Sequence, residues 1–251
     1  MRETRYDICA PFAQGRSFAE DAVRLAAEYR RARPFPHIVL DGFFAPDALR
    51  AVVAEVPSPL HEPERLFRRH EEGLAHGKFA FRDISALGPA SIALIDTLNS
   101  KPFVAFLTAL TGIPGLMPDP HLEGGGFHQI VRGGMLQIHA DFNVHPVLRA
   151  HRRVNLLLYL NEGWQAEWRG ELELWPEDMS AAAHAIAPLF NRMVIFGTTD
   201  TSYHGHPEPL ACPPDVVRRS LALYYYAMES FDVEEHSTLW QQRPADARTT
   251  V

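Results

Sequence analysis

The texture of the chain changes after Gly112, and that change limits the fold more than any other feature. From Gly124 onward, strand-length runs alternate with clusters of Gly, Pro, Asn and Asp: 127–131, 135–139, 154–160, 171–175, 193–196 and 220–226. Short strands at this spacing predict an antiparallel sandwich or barrel. Helices come first and strands later, without βαβ alternation, which argues against a Rossmann or TIM architecture. The expected fold is mainly β with N-terminal helices (α+β), a β-sandwich of jelly-roll type with the helices packed on one sheet.

Residues 17–33 read as an amphipathic helix, with Ser17 as its cap, Ala22, Leu25, Ala26 and Tyr29 on one face, and Pro34 ending it. Residues 36–44 form a short strand running into a turn, and Pro46 suits the first turn of a helix reaching about Val56. The charged, Pro-broken segment 58–78 reads as a long loop, either a lid or, more commonly, a solvated face. Residues 90–111 are a second helical stretch, interrupted near Pro102. The organisation is a single domain over 1–251: a helical support region 1–123, a β core 124–227 and a C-terminal tail 228–251.

At 46% apolar and 22% charged, the chain has the make-up of a globular protein that buries a sizeable core. A net charge of -7, with basic pairs at Arg68-Arg69, Arg152-Arg153 and Arg218-Arg219 but no basic run, argues against a nucleic-acid partner. Two cysteines, Cys9 and Cys212, give neither a disulfide framework nor a CxxC site. No secretory signal and no apolar run of membrane-spanning length is evident, so the expected setting is cytoplasmic, away from membranes. Oligomeric state is not legible.

Chemistry concentrates at Gln137-Ile138-His139-Ala140-Asp141. On a strand, positions i and i+2 point to the same side, so His139 and Asp141 can reach one ion. Two imidazoles and one carboxylate on one face of an octahedral ion form the facial triad of non-haem iron(II) sites. His204, a short turn-rich stretch after strand 193–196, is the chosen second imidazole, with His206 as its rival. Among thirteen histidines an HxD pair also arises by chance, and a surface His–Asp hydrogen bond is the plain alternative.

The stretch from about 134 to 227 carries further pieces in order: Arg153-Val154-Asn155 through Asn161, Gly170-Glu171-Leu172-Glu173-Leu174, Asn191 through Phe196, His204-Gly205, and Arg218-Arg219-Ser220-Leu221. Together with His139-x-Asp141 they resemble the catalytic core of the prolyl-4-hydroxylase-like branch of the 2-oxoglutarate/Fe(II) dioxygenases. The segment Pro34 to Leu49 is similar to the entry segment of such proteins. The resemblance implies a double-stranded β-helix, Fe(II), 2-oxoglutarate as co-substrate, and ascorbate as an optional accessory. It places the metal on His139, Asp141 and His204, because the distal His is followed by Gly, with Pro207 shortly after.

The resemblance also implies an Arg-x-Ser motif for the co-substrate's remote carboxylate, which Arg can hold with a bidentate fork. This falls on Arg218 and Ser220. Alternation puts Arg218, Ser220 and Ala222 on one face and Arg219, Leu221 and Leu223 on the other, with Arg219 as the fallback clamp. In strand 154–160, Val154, Leu156, Leu158 and Leu160 should pack on the helices, while Asn155, Leu157 and Tyr159 face the cavity. Tyr159 matches a position that contacts the co-substrate carboxylate in similar proteins, and Asn155 is a candidate of the same kind.

Only one glycine, Gly170, precedes the Glu-Leu strand where the family often has two, so the local backbone should differ. Asp141 as a carboxylate ligand implies hydroxylation, since halogenases of this superfamily carry a small residue there. Gly124-Gly125-Gly126 lacks the Lys-Ser/Thr of a phosphate loop and reads as a strand entry. His128 and Gln129 are expected to be structural, and His145 an ordinary loop histidine. The expected reaction is hydroxylation of an unactivated C–H bond in a small-molecule or peptidyl substrate. A zinc hydrolase using the same triad and a non-catalytic jelly-roll binding module are the alternatives.

Overall fold

In the computed structural model, which describes residues 18–71, 74–228, 234–244 and 246, the helices form one layer against a curled sheet. Helix α1 (Phe18–Arg31) buries Ala22, Leu25 and Tyr29, the apolar stripe read from the sequence. Strand β1 (His37–Asp41) and helix α2 (Pro46–Glu55, with Pro46 in its first turn) follow. The expected cap Ser17, like Cys9, lies outside the described residues.

Segment 58–78 departs from the loop reading. It contains a short 3₁₀ turn, then β2 (Phe67–Glu71), and leads into β3 (Ala75–Phe81). β2 and β3 pair as an antiparallel hairpin. Charges hide the strand pattern here, and the long-range partner of β3 cannot be read locally. Helices α3 (Pro89–Leu98) and α4 (Lys101–Thr111) come next. The break between them falls at Asn99–Ser100: Ser100 caps α4 by accepting from Phe103 N, and Pro102 is harmless inside the first turn. The carboxylate of Glu55, the last residue of α2, accepts from Ala90 N and Ser91 N and so caps α3.

The remaining strands are β4 (Met117–Pro118), β5 (Gly126–Ala140), β6 (His151–Tyr159), β7 (Leu172–Leu174), β8 (His184–Ile186), β9 (Arg192–Gly197), β10 (His204–His206), β11 (Arg218–Ala227) and β12 (Leu239–Trp240). All twelve belong to one curled antiparallel sheet, whose main path runs β1-β9-β6-β11-β5-β10-β7-β8. The sequence reads β5 as two strands, but it is one of 15 residues. Its first half pairs with β11 and β3, and its second half with β10, so it joins the two walls of the jelly roll. The C-terminal tail also returns to the sheet: β12 pairs with β5 at Ala140 and His139.

The parity argument for the core holds. Val154, Leu156, Leu158 and Leu160 lie in one cluster with Leu221, Leu223 and the helical Leu49, Phe103, Phe106 and Leu107. Tyr159 and Leu157 face the other way, toward Leu172, Leu174, Val194 and Phe196. One side of the sheet therefore packs on helices and the other lines the interior of the roll. Cys212 is a buried free thiol. No described helix is long and apolar enough to cross a membrane.

The missing glycine before β7 has a visible consequence. Arg169 occupies φ 61, ψ -154, a region that glycine alone enters without strain. Its carbonyl is held by Trp164 Nε1 at 2.9 Å, and its guanidinium makes only an exposed 3.7 Å contact with Glu208. Arg169→Gly should therefore stabilise the protein by about 1 kcal/mol, an upward shift in Tm of roughly 2–4 °C at this size. An unchanged or lower Tm in a thermal melt would show that no strain is relieved there.

Candidate metal centre

Two strands deliver the three side chains that could hold a metal. His139 lies near the end of β5, Asp141 follows immediately after it, and β10 pairs so that His204 stands opposite His139. The two rings lie 4.6 Å apart between centroids. His139 Nε2 is 3.6 Å from one Asp141 oxygen and His204 Nε2 is 3.4 Å from the other. One ligand atom from each residue lies within 4.8 Å of the others, the only such group of three among the described residues. Cis ligands around an ion with bonds of about 2.0–2.2 Å stand roughly 3 Å apart, so the donor set fits a divalent metal after small closure.

Each imidazole is oriented by its own strand. His139 Nδ1 hydrogen-bonds Gln137 O at 2.8 Å and His204 Nδ1 hydrogen-bonds Ser202 O at 2.9 Å. A carbonyl only accepts, so both Nδ1 atoms donate, which leaves Nε2 of each ring as the nitrogen turned toward Asp141. Burial lowers the His204 pKa to about 4, against the opposing pull of Asp141, so the ring is neutral at pH 7, as a ligand must be. Burial alone would raise the Asp141 pKa. Arg152, whose guanidinium lies against it, holds it well below the usual carboxylate range instead.

Arg152 is the residue that sequence reasoning missed. Its Nη2 is 2.9 Å from Asp141 Oδ2, and its guanidinium lies over the rings of Tyr224 and Phe142, 3.4 and 4.8 Å from their centroids. Alternation from Val154 would turn Arg152 toward the helices. A register shift between Tyr225 and Tyr226 reverses it: Tyr225 pairs with Val154, but Tyr226 pairs with Arg152. Asn155 also differs in partner from its expectation as a co-substrate contact. It lines the pocket, but it donates to Asp141 Oδ2 at 2.7 Å and accepts from Arg152 Nε at 2.8 Å. Its amide is engaged in holding the metal-ligand carboxylate.

At the opposite end of the same pocket stands Arg218. It is buried, donating through Nε to Gly170 O at 2.7 Å and through Nη2 to Tyr159 Oη at 3.3 Å. Ser220 lines the pocket beside it and pairs in register with Tyr159. Arg219 faces the other side, where its Nε meets Gln129 Oε1 at 3.3 Å. Lys78, from the segment read as a loop, also lines the pocket, as do His128 and His206. Phe196 and Trp240 pack against His204 and His139, 4.8 and 5.1 Å between centroids. His145 is not near the triad. It bonds Asp119 at 3.0 Å and accepts from Val147 N and Leu148 N, the structural role expected of it.

The jelly roll thus brings His139 at the end of one strand, Asp141 just after it, His204 on the neighbouring strand and the buried Arg218 to one pocket. Residues 125–226 match the family model described as the 2OG-Fe(II) oxygenase superfamily. The matched segment is the β core that carries His139, Asp141, His204, Arg218 and Ser220, less than half of the chain. Among solved structures, a prolyl hydroxylase from Trichoplax adhaerens, in complex with a hypoxia inducible factor peptide fragment, shares the fold with a TM-score of 0.59 at 18% identity, covering 83% of this chain and 91% of that one. A Pseudomonas putida prolyl-4-hydroxylase gives 0.56 at 18% identity, covering 82% and 98%. HygX from Streptomyces hygroscopicus, with nickel, 2-oxoglutarate and hygromycin B bound, gives 0.52 at 14%, covering 82% and 92%. No curated protein sequence matches the chain.

Two outcomes test this geometry. A Cβ on Gly205 would stand 2.7 Å from Gln137 O and 2.8 Å from Leu136 O, so β10 reaches β5 only because position 205 has no side chain. Gly205→Ala should displace His204 and lower Co(II) affinity, read from the d–d absorption of the bound ion, by at least tenfold; retained affinity would show that β10 yields without moving its ligand. Arg152→Met frees the Asp141 carboxylate to turn, and should weaken Co(II) binding by about 10- to 100-fold. Equal affinity in the variant would show that Asn155 suffices.

Proposed function

We propose that the protein hydroxylates an unactivated C–H bond in a small-molecule or peptidyl substrate, converting 2-oxoglutarate and O₂ to succinate and CO₂. The observation that carries this reading is the partnering of Arg218. It is a buried guanidinium whose hydrogen bonds among the described residues go to two neutral groups, Gly170 O and Tyr159 Oη, in a pocket that also holds the three converging side chains His139, Asp141 and His204. A buried charge without a counter-charge is costly, and the remote carboxylate of 2-oxoglutarate supplies the counter-charge in bidentate form.

In this reading His139, Asp141 and His204 hold Fe(II), and Arg218 and Ser220 hold the co-substrate. Tyr159 keeps the guanidinium aligned. The bound iron supplies the oxidative chemistry. The chain's own residues do the rest. The Nδ1 hydrogen bonds of His139 and His204 fix which nitrogen faces the ion. Arg152 and Asn155 keep Asp141 ionised and stationary. Leu157 and Leu172, which line the pocket, and the rings of Phe196 and Trp240 beside the imidazoles, limit water around the reacting centre.

The solved relatives include one bound to a peptide and one bound to hygromycin B, which supports a peptidyl or small-molecule acceptor here. The net charge of -7 favours partners other than nucleic acid. A cytoplasmic setting suits a ferrous site and the buried thiol of Cys212. The zinc-hydrolase alternative offers no role for the Arg218–Tyr159–Ser220 end of the pocket, and Asp141, the one carboxylate among the described lining residues, is already used as a ligand.

Anaerobic titration of the Fe(II)-loaded protein with 2-oxoglutarate should develop the visible charge-transfer band of the metal–keto-acid chelate. His139→Ala and Asp141→Ala should abolish both the band and coupled succinate formation, while Arg218→Ala should keep the metal and lose high-affinity 2-oxoglutarate binding. Absence of the band in folded, iron-loaded wild-type protein would overturn the reading.

A further inference from the structure

His206 is four per cent exposed, and both of its ring nitrogens lack a hydrogen-bond partner among the described residues. Buried polar atoms are rarely left so, and an orphaned pair lining a pocket points to a missing ligand. Alternation along β10 sends His206 to the same side as His204, and it lines the same pocket. It does not belong to the metal-ligand group.

The register shows where it stands. Along β5 the metal row is His139, opposite His204. Next comes Leu136, opposite His206, and further along lies Ile130, flanked by Lys78 on β3 and Arg218 on β11. Residues directly opposite one another on neighbouring strands present side chains to one face. Lys78 and Arg218 therefore stand about two strand spacings apart, roughly 10 Å between backbones, and His206 projects between that cation row and the metal. His206, Lys78 and Arg218 all line this one pocket. An imidazole carries at least one N–H donor in either protonation state.

On the reading of this pocket as a 2-oxoglutarate site, we infer that His206 and Lys78 are further co-substrate-binding residues, joining Arg218 around the remote carboxylate. His206 supplies an N–H donor from β10. Lys78 supplies a second cation from β3, a strand outside the matched family segment. The β2–β3 hairpin is then a wall of the co-substrate site.

Isothermal titration of anaerobic, Fe(II)-loaded protein tests this, with 2-oxoglutarate and with pyruvate, a 2-oxo acid that lacks the remote carboxylate. A charge-assisted hydrogen bond is commonly worth about tenfold or more in affinity. His206→Leu should raise the Kd for 2-oxoglutarate at least tenfold and leave that for pyruvate within about twofold. Lys78→Met should show the same selectivity, and His206→Gln, which keeps a donor, should recover most of the affinity. Unchanged 2-oxoglutarate binding in His206→Leu, or an equal loss for both ligands, overturns the inference for His206; the same outcomes in Lys78→Met overturn it for Lys78. If His206→Leu fails to fold, shown by lost Co(II) binding, His206→Gln and Lys78→Met carry the comparison. Should Arg218→Ala bind 2-oxoglutarate as tightly as wild type, the underlying reading of the pocket fails, and this inference with it.

Discussion

The register of β10 on the second half of β5 is the contact on which the site depends. Three residues of β10 bridge β5 on one side and β7 on the other, and their central glycine lets the strands approach. One residue of slip would turn His204 away from His139, because side chains alternate across a strand. β5 can serve as template because it is long and bent: its first half sits in the helix-backed wall and its second half in the opposite one. The hydrophobic packing of Val154, Leu156, Leu158, Leu221 and Leu223 on the helices thus does more than stabilise the fold. It holds the first wall rigid while β5 carries the metal ligands across to the second.

Electrostatics in the interior follow from this architecture. Among the described residues that line the pocket, Arg152 and Arg218 are buried cations and Asp141 is the one carboxylate, already paired with Arg152. In a low-dielectric interior such an imbalance favours an anionic ligand. A divalent metal adds further positive charge, so a dianionic keto acid is a natural complement. Placement matters as much as the total. Arg152 sits on the metal-ligand carboxylate, while Arg218 lies beyond the row of His206 as counted along β5.

Much of this was legible in the sequence, and the parts that were not share a cause. Strand parity correctly separated Val154, Leu156 and Leu158 from Leu157 and Tyr159, and Arg218 from Arg219, because β6 and β11 run regularly through those positions. The HxD spacing and the distal His placed the three ligands in one cluster for the same reason. Parity failed at Arg152, where the register shift beside Tyr226 reverses the face. It could not find β12, which has two residues, or β3, whose partner β5 lies some fifty positions further along the chain. Asn155 was placed on the right face, yet its partner depended on that unseen shift, so the sequence linked it to the co-substrate rather than to Asp141.

The two buried arginines show how similar residues acquire different tasks. Both lie at most four per cent exposed, and each stacks on tyrosine. Arg152 meets a protein carboxylate, so its charge is balanced within the fold and it can act only through Asp141. Arg218 bonds a carbonyl and a phenol, groups that orient a guanidinium without neutralising it. Gly170 makes this possible: a Cβ there would stand 3.1 Å from Arg218 Cδ and 2.5 Å from Leu210 Cδ2. The backbone therefore approaches the arginine closely enough for its carbonyl to hold Nε. The same stretch carries the strained Arg169, consistent with a local conformation kept for the aim of Arg218 rather than for its own stability.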